Sequence, residues 1–311
     1  MSRRGFFKRL GGLAMAAPLF SSFASFSSCV RSAADGGRKL VILHTNDVHS
    51  HIDPFPESDT RYPGLGGYAR RGAIISETIR KYGAENVLVF ESGDMFQGTP
   101  YFNFYRGRLE IELMNRMRID AVSIGNHEFD NGVDALCDCM EIANFPFLCA
   151  NYTFTDPRGR NLVKPYKVFE RGGFRVGVFG LGVRLAGLVA PANCDTVRFS
   201  EIIPTAQDVV NKLRDDEGCD IVVALTHIGY EDGTGGDCDK KLAASTRGID
   251  FILGGHSHTF LPEPVFVKNK DGRDVFINQV GYGGVNIGRI EIGLGDSSCA
   301  ELLASENAVV G

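Results

Sequence analysis

The chain has 311 residues, of which 43% are hydrophobic and 23% charged, an ordinary globular composition long enough to bury one large core. Its formal net charge of −5 argues against a surface that binds a nucleic-acid backbone, which needs clustered Lys and Arg. An anionic substrate therefore has to be held by local positive charge.

The first thirty residues stand apart. "MSRRGFFKRL" is basic, "GGLAMAAPLFSSFASF" is apolar with many small residues, and "SSCV" brings Cys29. This order predicts an export signal over residues 1–28, too short and too rich in Ser and Gly for a spanning helix. "SRRGFFK" resembles the twin-arginine export motif, a general secretory signal being the plainer alternative. The small residues before Cys29 resemble a lipoprotein box, with Phe26 where an aliphatic residue is usual, so Cys29 is the candidate lipidation site. The expected location is outside the cytoplasm of a bacterium, in the periplasm or as a membrane-anchored lipoprotein, with membrane contact only through the lipid. Eight Cys in an exported chain could signal disulfides, but the spacing shows no framework. Most of the thiols are expected as small buried apolar groups.

A polar linker over residues 29–38 precedes one domain over 39–311. The runs "KLVILHT", "NVLVFES", "DAVSIGN", "FPFLCAN", "RVGVFGLG", "DIVVALTH" and "DFILGGHS" are short, β-branched and continuously apolar, as strands buried on both faces are. Between them "ARRGAIISETIRKYG", opening near Gly66 and Gly67, "LEIELMNRMR", "ALCDCMEIA" and "IPTAQDVVNKLRDD" repeat apolar residues at three and four, the helical period. The class is α/β with mixed sheets. The C-terminal third, "PEPVFVKNKDGRDVFINQVGYGGVNIGRIEIGLG", reads as an antiparallel meander with "KDG" as its hairpin turn. Phe96, Tyr101, Phe102, Phe104 and Tyr105 follow Asp94 closely and are expected mainly in the core, with one or two at a pocket mouth.

Nearly every strand-like run ends in a residue able to bind a metal. Asp47 and His49 follow the first, Asp94 the second, Asn126 and His127 the third, and His227, His256 and His258 end the last two. Ligands of open α/β sheets sit beyond the carboxyl ends of the strands, so these side chains are expected to converge. Asp47 with His49, and His256 with His258, are two apart, which on an extended chain points both the same way. Mixed His, Asp and Asn donors suit zinc, manganese or iron. One ion takes roughly four to six ligands, so six or seven candidates with a carboxylate free to bridge imply two divalent ions. Their charge, less that of Asp47 and Asp94, leaves about +2, enough to draw a phosphate into an acidic protein.

"LHTNDVHSH", "ESGDMFQGTP", "GNHEFDNG", "THIGYE" and "GGHSHT", in this order, resemble the calcineurin-like metallophosphoesterases and, within them, the metallophosphatase domain of the 5′-nucleotidases. The resemblance covers roughly residues 39 to 294 and implies a four-layer α-β-β-α sandwich with a binuclear metal centre. It implies that Asp47, His49, Asp94 and His258 hold one metal, and that Asp94 bridges to a second completed by Asn126, His227 and His256. His127 would face the substrate phosphate as a catalytic acid, oriented by Asp130, which alternatively caps the helix opening near Gly132. Two such cations lower the pKa of bound water toward about 7, supplying hydroxide for in-line attack, and a protonated His127 would stabilise the phosphoryl charge. Glu128 has no assigned role beyond a structural one. Ser50 stands where Gly is usual, and the adjacent His51 is not assigned to a metal. The C-terminal nucleotide-binding domain of 5′-nucleotidases does not fit within the chain, so a separate polypeptide is a candidate partner. The function expected is an exported phosphohydrolase acting on nucleotides. Alternatives are a broad phosphomonoesterase or phosphodiesterase, a 2′,3′-cyclic phosphodiesterase, a sulfur-transferring relative, or a lipoprotein that binds metal or phosphate without turnover.

Overall fold

The computed structural model describes residues 25–29, 38–233, 235–294 and 299–311. The expected export segment up to residue 24, and most of the linker, lie outside these. Of the segment around the expected cleavage point, Ser25–Cys29 forms a strand at the edge of the first sheet, antiparallel to the C-terminal strand. No helix among the described residues is long and apolar enough to cross a membrane.

Two mixed sheets carry the fold. The first has eight strands, in the order Ser25–Cys29, Cys299–Val309, Asn286–Leu294, Lys39–Thr45, Val87–Glu91, Ala121–Ser123, Phe147–Leu148 and Val163–Lys164. Its strands from Lys39–Thr45 onward run parallel. The second has six, in the order Val265–Lys268, Asp274–Asn278, Phe251–Leu253, Ile221–His227, Phe174–Gly182 and Tyr166–Arg171, parallel at its centre. Strand alternation divides the core into three apolar clusters. Leu40, Ile42, Leu88 and Phe90 of the first sheet meet Val176, Val223, Phe251 and Phe276 of the second. The opposite faces carry Val41, Leu43 and Val89 with residues of the helices Tyr68–Tyr82, Arg108–Met117 and Gly132–Ile142, and Val222 and Ala224 with the helices Ile202–Asn211 and Asp239–Ser245. Helix on sheet, sheet on sheet and sheet on helix are the three contacts that an α-β-β-α stacking requires.

The expected helices form where their period placed them. Tyr68–Tyr82 opens at Gly67, held at φ 93°, and buries Arg71, Ile75 and Thr78 on one side. Cys137, Cys139, Cys149, Cys219 and Cys238 are free and buried.

Two expectations are corrected. The C-terminal third is not one meander. Val265–Lys268 and Asp274–Asn278 do form the "NKDG" hairpin, with Gly272 at φ 73°, but Asn286–Leu294 belongs to the other sheet, paired with Lys39–Thr45 and Cys299–Val309. The Gly-rich segment 279–285 is thus a crossover between sheets, and local pattern cannot report a partner chosen by tertiary packing. Cys299–Val309 then adds a long strand beside it. Finally, Phe96 and Phe102 are buried and stack on each other at 5.8 Å, whereas Phe104 is 81% and Tyr105 52% exposed. The helix Pro100–Tyr105 has six residues and only one face to bury.

Candidate active site

The strand ends converge as the topology demands. Asp47 and His49 follow Lys39–Thr45, Asp94 follows Val87–Glu91, Asn126 and His127 follow Ala121–Ser123, His227 closes Ile221–His227, and His256 and His258 follow Phe251–Leu253. Donor atoms of Asp47, His49, Asp94 and His258 lie within 4.8 Å of one another, as do those of Asp94, His227 and His256. Asp94 belongs to both groups. Both sheets contribute, so the site straddles their junction.

The pairs do not converge by strand alternation. Both strands end before the donors, and Asp47 (φ 51°), His49 (φ 46°), Asp94 (φ 53°), His256 (φ 78°) and His258 (φ 50°) all occupy the left-handed region, where non-Gly residues are uncommon. The expectation of an extended chain is therefore replaced by sharply turned loops that aim successive side chains inward. Interloop bonds over-determine this backbone: Asp47 N–H donates to Gly93 O, His49 N–H to Asp94 O and Ser50 N–H to Met95 O, each at 3.0 Å. Ser50 shares the left-handed conformation at φ 53°, which explains why Gly would be at home there. Gly125 is required by contact, since a Cβ there would collide with the Asp94 carboxylate.

The donor set fits divalent ions. His49 Nε2 and His258 Nε2 face each other at 3.0 Å, the spacing of two nitrogens about 2.0–2.1 Å from one ion at roughly a right angle. Asp47 Oδ1 is 3.4 Å from His258 Nε2, and Asp94 Oδ2 is 3.0 Å from His227 Nε2. His227 Nδ1 is 2.8 Å from Ser92 O, which fixes the tautomer and leaves Nε2 free to ligate. Asn126 Oδ1 is buried with no hydrogen-bond partner among the described residues, a cost unless a cation completes it. Burial pushes His49 and His256 down to about 4, so both keep a lone pair at neutral pH. His227 is also desolvated, but the Asp94 carboxylate outweighs this and raises its pKa, because Asp94 faces Nε2; a divalent ion at Nε2 would take the place of that proton.

His127 belongs to neither donor group, although its ring lies 5.2 Å from that of His49. Its backbone N–H donates to Asp94 Oδ1 at 2.9 Å, and its Nδ1 pairs with Asp130 Oδ2 at 2.7 Å. That bond and the nearby carboxylates raise its pKa against desolvation. The capping alternative for Asp130 is not what forms: the residue before the helix is Asn131, with no side-chain capping bond. His51 turns instead to the Val48 and His49 carbonyls and stacks on Phe55.

Glu128, unassigned from sequence, holds the loops together. Its Oε2 accepts from Asp94 N–H at 2.9 Å and Gly125 N–H at 2.6 Å, and its Oε1 from Met95 N–H at 2.9 Å and Phe96 N–H at 3.3 Å. Burial and Asp94 push its carboxyl above the usual range, opposed by His227 and by the Asp94 and Gly125 N–H groups. In Glu128→Gln the amide NH2 necessarily opposes two backbone N–H groups, whichever way it turns. Metal affinity is expected to fall about 10- to 100-fold, read as metal retained after dialysis against buffered ion. Unchanged retention would mean that the carboxylate does not position Asp94. Asn46, also missed, donates to Asp47 Oδ2 and Gly281 O and accepts from Val280 N–H. Asp239 and Gln279 brace the Gly255 loop in the same way. Asn46 and Glu128 are near donors in the sequence, whereas Asp239 and Gln279 are not and carry no such signal.

Comparison with known proteins gives the arrangement its kin. The Calcineurin-like phosphoesterase family profile matches residues 40–260. A snake venom 5′-nucleotidase of Crotalus adamanteus is 33% identical over 281 residues, 84% of this chain and 46% of its own length. A 5′-nucleotidase of Homo sapiens is 34% identical over 280 residues, 83% of this chain and 47% of its own. Among solved structures, a 5′-nucleotidase precursor from Thermus thermophilus superposes with a TM-score of 0.74 at 35% identity, covering 86% of this chain and 54% of that one. The chain thus spans about half the length of these relatives. With the profile covering both sets of strand-end donors, the chain belongs to the calcineurin-like phosphoesterase family.

Proposed function

We propose that the chain is an exported phosphohydrolase that releases phosphate from nucleotides, using two divalent ions. The observation that carries this reading is the pair of donor groups sharing Asp94, with the His127–Asp130 couple beside them. Asp47, His49, Asp94 and His258 would hold one ion, and Asp94, Asn126, His227 and His256 the other. When bound, the ions supply Lewis acidity toward phosphoryl oxygens and activate water. His127, charged through Asp130, stabilises negative charge on the transferring phosphoryl group and delivers its Nε2 proton to the leaving oxygen. Glu128 and Asn46 keep the donor loops in register while this happens. Nucleotides are favoured as substrates because the similar full-length proteins are named 5′-nucleotidases. Export is supported by the basic, then apolar, first thirty residues.

The test is a substrate panel on purified protein with manganese, zinc or iron: 5′-AMP, a cyclic nucleotide and a nitrophenyl phosphodiester. Turnover of 5′-AMP that a chelator abolishes and added metal restores is the expected result. Turnover of the diester alone would overturn the nucleotide reading.

A further inference from the structure

We propose that this chain carries its own subsite for a planar aromatic leaving group, a cleft beside His258 walled by Phe55, Tyr62, Phe260 and Tyr282. The inference rests on the phosphohydrolase reading above, because it assigns the cleft to the part of the ester that departs.

The cleft has a volume of about 660 Å³, within the range of small-molecule pockets. His258, a candidate ligand to the first ion, forms one end of it, and Arg61 stands among the lining residues. The rings make a continuous surface leading away from the donors. Tyr282 lies 4.8 Å from the His258 ring, Phe55 is 5.2 Å from Tyr62, and Tyr62 stacks on Phe260 at 5.6 Å with 27° between planes. Core packing does not account for them, as none of the four belongs to the three apolar clusters and Phe260 is 38% exposed.

The backbone holds these rings in place. Asp59 Oδ1 accepts from the N–H groups of Arg61 at 2.8 Å and Tyr62 at 2.7 Å, fixing the turn that presents Tyr62. Phe260 is bridged to Val280. Gly281 (φ 93°) and Gly283 (φ 67°) flank Tyr282, and a Cβ on them would strike the rings of Phe260 and Phe55 respectively. The crossover segment is therefore glycine where it passes under the aromatic wall.

Once the phosphoryl group sits at the metal donors, only the leaving group can extend along this wall. A rigid aromatic surface offers a π-face to any planar base without reading its edge, and such stacking changes affinity about 5- to 150-fold per base. Tyr62 and Phe260 already touch, so a base lies against the rings and is not inserted between that pair. Arg61 adds a guanidinium plane able to stack or to donate to ring acceptors.

The experiment compares kcat/KM for 5′-AMP with that for ribose 5-phosphate, which lacks the base, in the wild type, Tyr62→Ala, Phe260→Ala and Phe260→Tyr. The ratio of the two constants is expected to fall about 10-fold in each Ala variant and to recover in Phe260→Tyr; equal ratios throughout would overturn the subsite. Adenosine binding, followed by tyrosine fluorescence in a chain with no Trp, separates the two claims. If the wild type hydrolyses neither ester, the phosphohydrolase reading fails, and the cleft stands only if Phe260→Ala weakens adenosine binding about 10-fold. Adenosine binding that is absent, or indifferent to Phe260, overturns the cleft whatever the turnover.

Discussion

His127→Ala is expected to lower kcat for 5′-AMP about 10²- to 10⁴-fold, the range for a positioned general acid, while leaving bound metal unchanged. The separation is possible because the imidazole contributes to neither donor group, whereas its backbone N–H still donates to Asp94 Oδ1 after the side chain is removed. Asp130→Asn should cost less. An amide oxygen can still accept the Nδ1 proton and keep the ring aimed, but it no longer favours the charged imidazole, which Asp130 now supports through a 2.7 Å bond. The measurement is steady-state kinetics paired with metal analysis of the same preparations. A loss of metal in parallel with activity would make His127 part of the metal site, and unchanged kcat would remove it from the chemistry.

What the sequence makes legible here is the part that chemistry constrains most. A phosphate-binding metal site needs hard or borderline donors brought together from several segments, and parallel strands bring segments together only at their carboxyl ends. Asp47, Asp94, Asn126, His227 and His256 are visible for that reason, and short apolar runs show the strands that carry them. What stays hidden is set by tertiary geometry. The left-handed turns at Asp47 and His49 leave no mark in a pattern of residue types, because the strain is held by bonds from another loop. Glu128 is ambiguous for a related reason. A carboxylate among donors looks like a ligand or a bystander, and its role becomes evident only when four backbone N–H groups are found pointing at it. The strand Asn286–Leu294 has a clear period, yet the choice between its two candidate sheets depends on where the crossover 279–285 leads, which no local signal encodes.

Phe90→Ala is expected to lower the unfolding free energy by about 3–5 kcal/mol, the usual cost of removing a buried aromatic ring and leaving a cavity. Phe90 is fully buried between the sheets, beside Phe169, on the strand Val87–Glu91 whose following loop carries Asp94. The consequence for the site follows from its construction. Asp47, His49, Asp94 and Asn126 extend from the first sheet and His227, His256 and His258 from the second, so any opening between sheets pulls the donors apart. Metal bound only by the native state adds stability as RT ln(1 + [L]/Kd), about 2.7 kcal/mol at a hundred times Kd for one site. A metal spanning the junction should therefore raise the unfolding midpoint of Phe90→Ala by about as much as that of the wild type, provided the variant still assembles the site. Denaturant unfolding with and without chelator, followed by tyrosine fluorescence and by metal release, checks both claims. Coincident transitions that metal shifts together would establish the two sheets as one cooperative unit closed by its ligands. Separate transitions, or a metal shift confined to one of them, would place the donors on a single sheet's folding unit and contradict a site built across both.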